Sequence, residues 1–171
     1  SKANRPRIAQ LINKTNQFNT TTRRHSEAVV DSMAVSDEWL VCAAQVGDRF
    51  GDSGLTGVVI VRRAPDGWEI DTFLLSCRVM ARGIEDALLL HVANQARAVG
   101  VSTLRAWFLP TPKNAPAAEF YGRMGMCAVG DNGDGGVCWE WDLASESANA
   151  PMPEWLTVSV ETGESTGNGG S

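Results

Sequence analysis

Ser76-Cys77-Arg78-Val79-Met80-Ala81-Arg82-Gly83 separates two segments of different periodicity. Before it, Trp68 to Leu75 alternates, which puts Trp68, Ile70, Thr72 and Leu74 on one face of a strand. After it, Ile84, Ala87, Leu88, Val92 and Val99 make one helical stripe that Gly100 stops. Thr103 to Leu109 then reads as a second strand. Strand, helix and strand in that order imply a right-handed crossover and an α/β fold with a parallel or mixed sheet. The turn between the first two elements presents unpaired backbone N–H groups at the positive end of a helix dipole. Arg78 and Arg82 add charge to it, so it reads as an anion-binding turn.

Working outward, Arg7 to about Gln17 carries Ile8, Leu11 and Ile12 at helical spacing, and the Asn- and Thr-rich run that follows reads as a solvated loop. Ser26 with Glu27 opens another helix, with Ala28, Val29 and Met33 as its apolar face. Trp39 to Val46 and Leu55 to Val61 read as strands, and Pro65-Asp66-Gly67 turns the second into the alternating strand above. Past Pro110-Thr111-Pro112, Asn114 caps a helix that ends near Met124-Gly125, and Val137 to Trp141 is a last strand. These elements assign residues 1–143 to one domain. From Ala144 onward Ser, Gly, Glu, Asn, Pro and Thr dominate, so residues 144–171 read as a linker or flexible tail.

The 171 residues, 43% apolar and 20% charged, suit one globular domain. A net charge of −5 gives no field for holding nucleic acid or an anionic membrane. Residues 1–24 are locally basic through Lys2, Arg5, Arg7, Lys14, Arg23 and Arg24, which suits either an acidic partner or plain solvation. Cys42, Cys77, Cys127 and Cys138 form no C-x-x-C pair and lie far from His25 and His91, so no metal site is expected. With no leader-like apolar stretch and no spanning segment, a cytoplasmic protein with free thiols is the expectation.

Arg78-x-x-Ala81-x-Gly83 fits the R/Q-x-x-G-x-G/A loop by which GNAT enzymes hold the pyrophosphate of coenzyme A. The stretch Asn114 to Met126 resembles the segment that follows the fifth GNAT strand. The resemblance implies a mixed, mostly antiparallel sheet with flanking helices and splayed fourth and fifth strands. A pantetheine arm would then lie in the wedge between Asp71–Ser76 and Leu104–Leu109. A narrower set looks like the C-terminal half of the FkbH-like glyceryltransferase/phosphatase family. It comprises Ile12 to Asn19, Thr21 to Arg24, Asp48 to Asp52, Ser76 to Val79 with Gly83 and Glu85, and Thr111 to Asn114. That family joins a haloacid-dehalogenase-type phosphatase module to a GNAT-like module and loads a glyceryl group from 1,3-bisphosphoglycerate onto an acyl carrier protein for polyketide assembly. This chain has no D-x-D-x-T phosphatase motif, and Ala81 stands where both patterns prefer Gly.

The implied activity is acyl transfer through a Cys77 thioester to the phosphopantetheine of an acyl carrier protein, with a phosphatase module as a second partner. The alternatives are a coenzyme-A-dependent GNAT acetyltransferase and a non-catalytic docking domain. A thiol beside Arg78 near a helix start favours its thiolate, although free cysteines are also common core residues. Asp71 is a candidate base and Tyr121 a candidate acid or an aromatic packed beneath the arm. Arg78, Val79, Arg82, Gly83 and Asn114 are candidate cofactor contacts, and Asn16, Thr111 and Lys113 candidate substrate contacts. Cys42, Cys127 and Cys138 read as core, and His25 as a loop residue or a base.

Overall fold

The computed structural model describes residues 4–46, 55–76, 83–131, 133, 135–144 and 156–162. Cys77, Arg78, Val79 and Arg82, and the loop Asp48 to Asp52, lie outside the described residues.

Helix α1 (Arg5–Lys14) opens on Pro6, whose missing N–H costs nothing in a first turn, and buries Ile8, Leu11 and Ile12. It stops three residues short of Gln17, where Thr15 turns extended (φ −91°, ψ 124°). The Arg24 guanidinium takes up the freed carbonyls of Ile12 and Thr15. Three irregular residues, Thr15 to Gln17, follow α1, and β1 (Phe18–Asn19) comes next. Helix α2 (Glu27–Val35) is capped by Ser26 Oγ, which accepts from the Val29 N–H at 3.2 Å. Its buried side is Val30, Met33 and Ala34, one step round from the expected face, and Val29 is exposed.

Strands β2 (Trp39–Val46), β3 (Leu55–Ala64) and β4 (Gly67–Leu75) form an antiparallel meander. Helix α3 (Ile84–Ala98) crosses over to β5 (Thr103–Phe108), which runs parallel to β4. The helix expected over 114–124 is a 3-10 turn (Ala115–Ala117) and a short α4 (Phe120–Arg123). Strands β6 (Cys127–Asp131) and β7 (Val137–Asp142) follow. Cys127 is exposed, contrary to its reading as core, whereas Cys42 and Cys138 are buried.

A last strand, β8 (Leu156–Glu161), closes the order β6-β7-β5-β4-β3-β2-β8, antiparallel at every neighbouring pair except β4 with β5. One face packs against α3 through Leu88, Leu89 and Val92. The other takes Ile8, Leu11 and Ile12 of α1 with Val30 and Met33 of α2.

Two departures from the sequence reading position the site. First, the β3–β4 register slips between Ile60↔Thr72 and Val61↔Ile70, so Asp71 is the extra residue of a β-bulge. The bulge inverts the alternation. Phe73 and Leu75 join Trp68 and Ile70 over α3, and Leu74 turns to the α1–α2 side. Second, the sheet does not end at residue 143. Strand β8 pairs with β2 from Val46↔Leu156 to Val41↔Glu161. Leu156-Thr-Val-Ser-Val-Glu161 alternates well enough for a strand, but its Gly- and Ser-rich surroundings mask the pattern.

β8 also completes a buried charge cluster. Arg5, 2% exposed, reaches Glu161 at 3.0 Å, Asp31 at 2.9 Å and the Thr162 carbonyl at 2.6 Å. Arg5 is therefore a core ion and not part of a basic docking surface. Breaking one partner of such a pair leaves an uncompensated charge, so Glu161→Ala is expected to lose roughly 3–5 kcal/mol of stability. Denaturant unfolding checks this, and a midpoint within error of wild type would refute the clasp.

Candidate functional site

β4 and β5 pair only at Trp68↔Leu104, Glu69↔Arg105 and Ile70↔Ala106, and then part at the Asp71 bulge. The expected fork is present. It is not open, because the segment after α1 fills it. Phe18 pairs with Leu75 and Asn19 with Leu74 on the edge of β4 that β5 has left. The Thr20 N–H donates to the Phe73 carbonyl at 3.0 Å, and the Leu109 N–H donates to the Thr20 carbonyl at 2.8 Å. One residue thus bridges the two sides of the fork.

The expected solvated loop is in fact a buried strap, with Phe18, Asn19, Thr20 and Thr21 all at 5% exposure or less. The Phe18 ring sits 5.3 Å from Phe120 and 6.2 Å from Phe73, centroid to centroid. Exposing Phe18 costs about 2–3 kcal/mol, and each hydrogen bond lost adds about 1 kcal/mol. Lifting the strap out therefore costs on the order of 5 kcal/mol, an open population below about one molecule in a thousand. An extended arm lying along Asp71–Ser76, as the sequence suggested, has no vacant edge to pair with.

The predicted residues around the fork are absorbed into this packing. The Asn114 side chain donates to the carbonyls of Asn19 and Leu109, each at 2.9 Å, and accepts from the Thr111 N–H at 2.8 Å. It is fully buried and both its amide hydrogens are taken, so it ties the strap to the turn after β5 and has no donor left for a cofactor. Thr111 Oγ1 accepts from the N–H groups of Lys113 and Asn114. The Tyr121 hydroxyl donates to Thr20 Oγ1 at 3.2 Å, and burial pushes its pKa well up. Tyr121 is the aromatic beneath the fork, not an acid open to it.

Asp71 is likewise a post and not a free base. Arg23 Nη1 lies 2.7 Å from its Oδ1, while His25 Nε2 at 3.0 Å and Thr72 Oγ1 at 2.8 Å meet Oδ2. Burial alone would raise its pKa, but the hydrogen bonds from His25 and Thr72 and the charge of Arg23 outweigh it and hold the carboxyl below its usual range. A carboxylate so held is a weak proton acceptor. Thr21 Oγ1 also donates to the Asp71 carbonyl at 2.8 Å, so the bulge is strapped through backbone and side chain alike.

Beyond the strap, at the C-terminal end of β4, lies a cleft of about 830 Å³ lined by Lys14, Asn16, Gln17, Ser76 and Lys113 with Pro112. It gathers Asn16 and Lys113 with the residue preceding Cys77 in the chain. Arg24 Nη2 bonds Asn16 Oδ1 and fixes the wall. Lys14, Gln17 and Lys113 are exposed, so the cleft offers two ammonium groups and an amide to a polar or anionic ligand. By residue type Gln17, like Asn16, suits a hydroxylated acyl group or a pantetheine amide, whereas Lys14 reads only as one charge of the basic N-terminal stretch, because only folding brings the end of α1 beside residue 113. Gly83 begins α3 in the left-handed region (φ 80°). The first turn of α3 carries Glu85 and Asp86, and Arg123 bridges both, Asp86 at 2.8 Å and Glu85 at 3.8 Å. Those carboxylates already occupy part of the positive field that a phosphate would use. Among the described residues no group of His, Cys, Asp and Glu is arranged to hold a metal, and no helix is long and apolar enough to cross a membrane.

No family model matches the chain, and no curated protein matches it. Solved structures do. The GNAT domain of S. lividans PAT is 22% identical over 82% of this chain and 85% of its own, with a TM-score of 0.63. The ribosomal-protein-S18-alanine N-acetyltransferase of Escherichia coli is 16% identical over 88% of this chain and 95% of its own, with a TM-score of 0.62. An acetyltransferase of Thermus thermophilus is 13% identical over 83% of this chain and 92% of its own, with a TM-score of 0.63. The fold is that of the GNAT acetyltransferases.

Asp71→Asn keeps the shape but removes the charge that Arg23 faces, and is expected to cost about 2–3 kcal/mol at pH 7. Because the folded pKa is depressed, this stability is present above the unfolded value of about 4 and is lost as pH falls through the folded one. Urea midpoints across the acid range down to about pH 2 check the sign. The two proteins should converge at the acid end, and a gap that stays constant throughout would contradict the assignment.

Proposed function

We propose that the chain is an acyl-transfer domain in which Cys77 accepts a three-carbon hydroxyacyl group of glyceryl type and yields it to the phosphopantetheine thiol of an acyl carrier protein in polyketide assembly. The cleft at the end of β4 carries this reading. It is roomy and open, it presents Lys14, Lys113, Asn16 and Gln17, and it is walled by Ser76, the residue before Cys77. Ammonium and amide donors suit a hydroxylated acyl group whose donor carries phosphate.

In the first step the Cys77 thiolate attacks the C1 carbonyl of an acyl phosphate, the C–S bond forms as the bond from C1 to the phosphate oxygen breaks, and inorganic phosphate leaves with the electron pair. In the second, the carrier thiolate attacks the Cys77 thioester, the new C–S bond forms as the old one breaks, and the Cys77 thiolate is regenerated. Exchanging one thioester for another is nearly isoenergetic, so the second step is easily driven in either direction. Asp71 and Tyr121 have no part in the transfer, being engaged in holding the strap. A haloacid-dehalogenase-type module would hydrolyse the phosphate ester on C3 of the three-carbon unit, because this chain has no motif for that step.

Among the described residues, Lys14 and Lys113, at the end of α1 and in the turn after β5, are exposed cations at the cleft that suit an acidic carrier. Arg23, Arg97 and Arg105 are engaged with Asp71, with Asn94 and the Leu143 carbonyl, and with Glu140. The second reading is a coenzyme-A-dependent acetyltransferase, favoured by the shared fold. In both readings the pantetheine arm has to bind without the β4 edge that the strap covers.

Intact-mass measurement separates the two. With a phosphatase-module partner and 1,3-bisphosphoglycerate, the wild type is expected to gain a glyceryl adduct that Cys77→Ala lacks and that carrier protein removes. An unlabelled wild type together with a Cys77→Ala variant that still acetylates an amine from acetyl-coenzyme A would establish the second reading instead.

A further inference from the structure

We infer that Phe18–Thr21 is a permanent inserted strand that shuts the β4–β5 fork to any extended ligand, so that a thiol-bearing arm meets this chain end-on, in the Lys14–Lys113 cleft. The strap is a specificity element built from the chain itself. It takes the hydrogen-bonding edge that an arm would need, through the Phe18↔Leu75 and Asn19↔Leu74 pairing and the Thr20 N–H to Phe73 bond. It also closes the opposite wall, where the Leu109 N–H donates to the Thr20 carbonyl. At these positions neither side keeps an edge open for a second strand-like occupant.

Its fastenings lie on three elements. Arg23, His25 and Thr21 grip Asp71 on β4, Asn114 holds the Asn19 carbonyl from the turn after β5, and Tyr121 of α4 meets Thr20 Oγ1. Asn19 Oδ1 accepts from the N–H of Thr22 at 2.9 Å, which turns the chain out of the fork at once. An element seated by burial, backbone pairing and an ion cluster together is part of the core and not a gate. What the strap leaves open is the space just past its N-terminal end, where Lys14, Asn16 and Gln17 face Ser76 and Lys113. The arm's identity as pantetheine rests on the acyl-transfer reading, whereas the closed fork does not.

Amide hydrogen exchange by NMR on the full chain tests both parts, with coenzyme A and phosphopantetheine as probes. The Thr20 and Leu109 amides are expected to be protected at least about a hundredfold, in the range of the β3 core. Either probe should shift resonances of Lys14, Asn16, Gln17, Ser76 and Lys113 while leaving that protection intact. Thr21→Val, a milder change than any at Asp71, should speed exchange at Thr20 about tenfold or more with β2 and β3 unchanged. Exchange of Thr20 at loop rates in the wild type would overturn the inference, as would a probe that strips protection from Thr20 and Leu109. If neither probe perturbs any residue while protection holds, the closed fork stands and the acyl-transfer reading falls.

Discussion

The carboxylate of Asp71 stands where β4 leaves β5, and the arrangement of the site depends on how that one bulge is stabilised. An extra residue in a central strand breaks the ladder, bends the strand and frees backbone groups on one edge. Left open, that edge would carry unpaired carbonyls and N–H groups in the middle of a sheet, a cost of several kcal/mol. The strap removes the cost by pairing with β4 after the bulge, and Arg23 and His25 meet the carboxylate that the bulge turns out of the ladder. Bulge, strap and ion cluster are one structure. All three meet at Asp71, through its backbone register, its carbonyl and its carboxylate.

That dependence decides where chemistry can occur. The fold places a fork at the middle of the sheet, and in this chain the fork is filled from within. The space left accessible lies at the end of β4, where the cleft walls come from the C-terminus of α1, the residue after β4 and the turn after β5. Polar residues that look like ligand contacts by type, such as Asn13, Asn19, Asn114 and Arg24, instead satisfy backbone groups of the strap and its neighbours. Lys14, Gln17 and Lys113 stay exposed at the cleft, where a ligand can reach them.

Much of the framework is legible in the sequence, because period and punctuation agree there. Trp39 to Val46, the Pro65-Asp66-Gly67 turn and the Ile84 to Val99 stripe each combine a clear hydrophobic period with a clear stop. The GNAT-like order of strand, turn, helix and strand follows from them. What escapes is long-range. Nothing in Ile70-Asp71-Thr72 marks a bulge, since it exists only in the register against Ile60 and Val61. Phe18-Asn19-Thr20-Thr21 is polar by composition and buried by pairing, and no local rule foresees a two-residue strand. β8 is hidden in a tail-like composition, and Arg5 is a core ion only because Glu161, far along the chain, returns to it. Of the stretches that carry the narrower family resemblance, Ile12 to Asn19, Thr21 to Arg24 and Thr111 to Asn114 include residues that build and fasten the strap.

The forked sheet is occupied by the chain itself, and everything said of the cleft rests on that. The most direct test is the scalar coupling transmitted through the hydrogen bond from the Thr20 amide nitrogen to the Phe73 carbonyl carbon in isotopically labelled protein. A filled fork predicts a coupling comparable to those between β3 and β4. Its absence, with the β3–β4 couplings present in the same spectrum, would contradict the occupied fork.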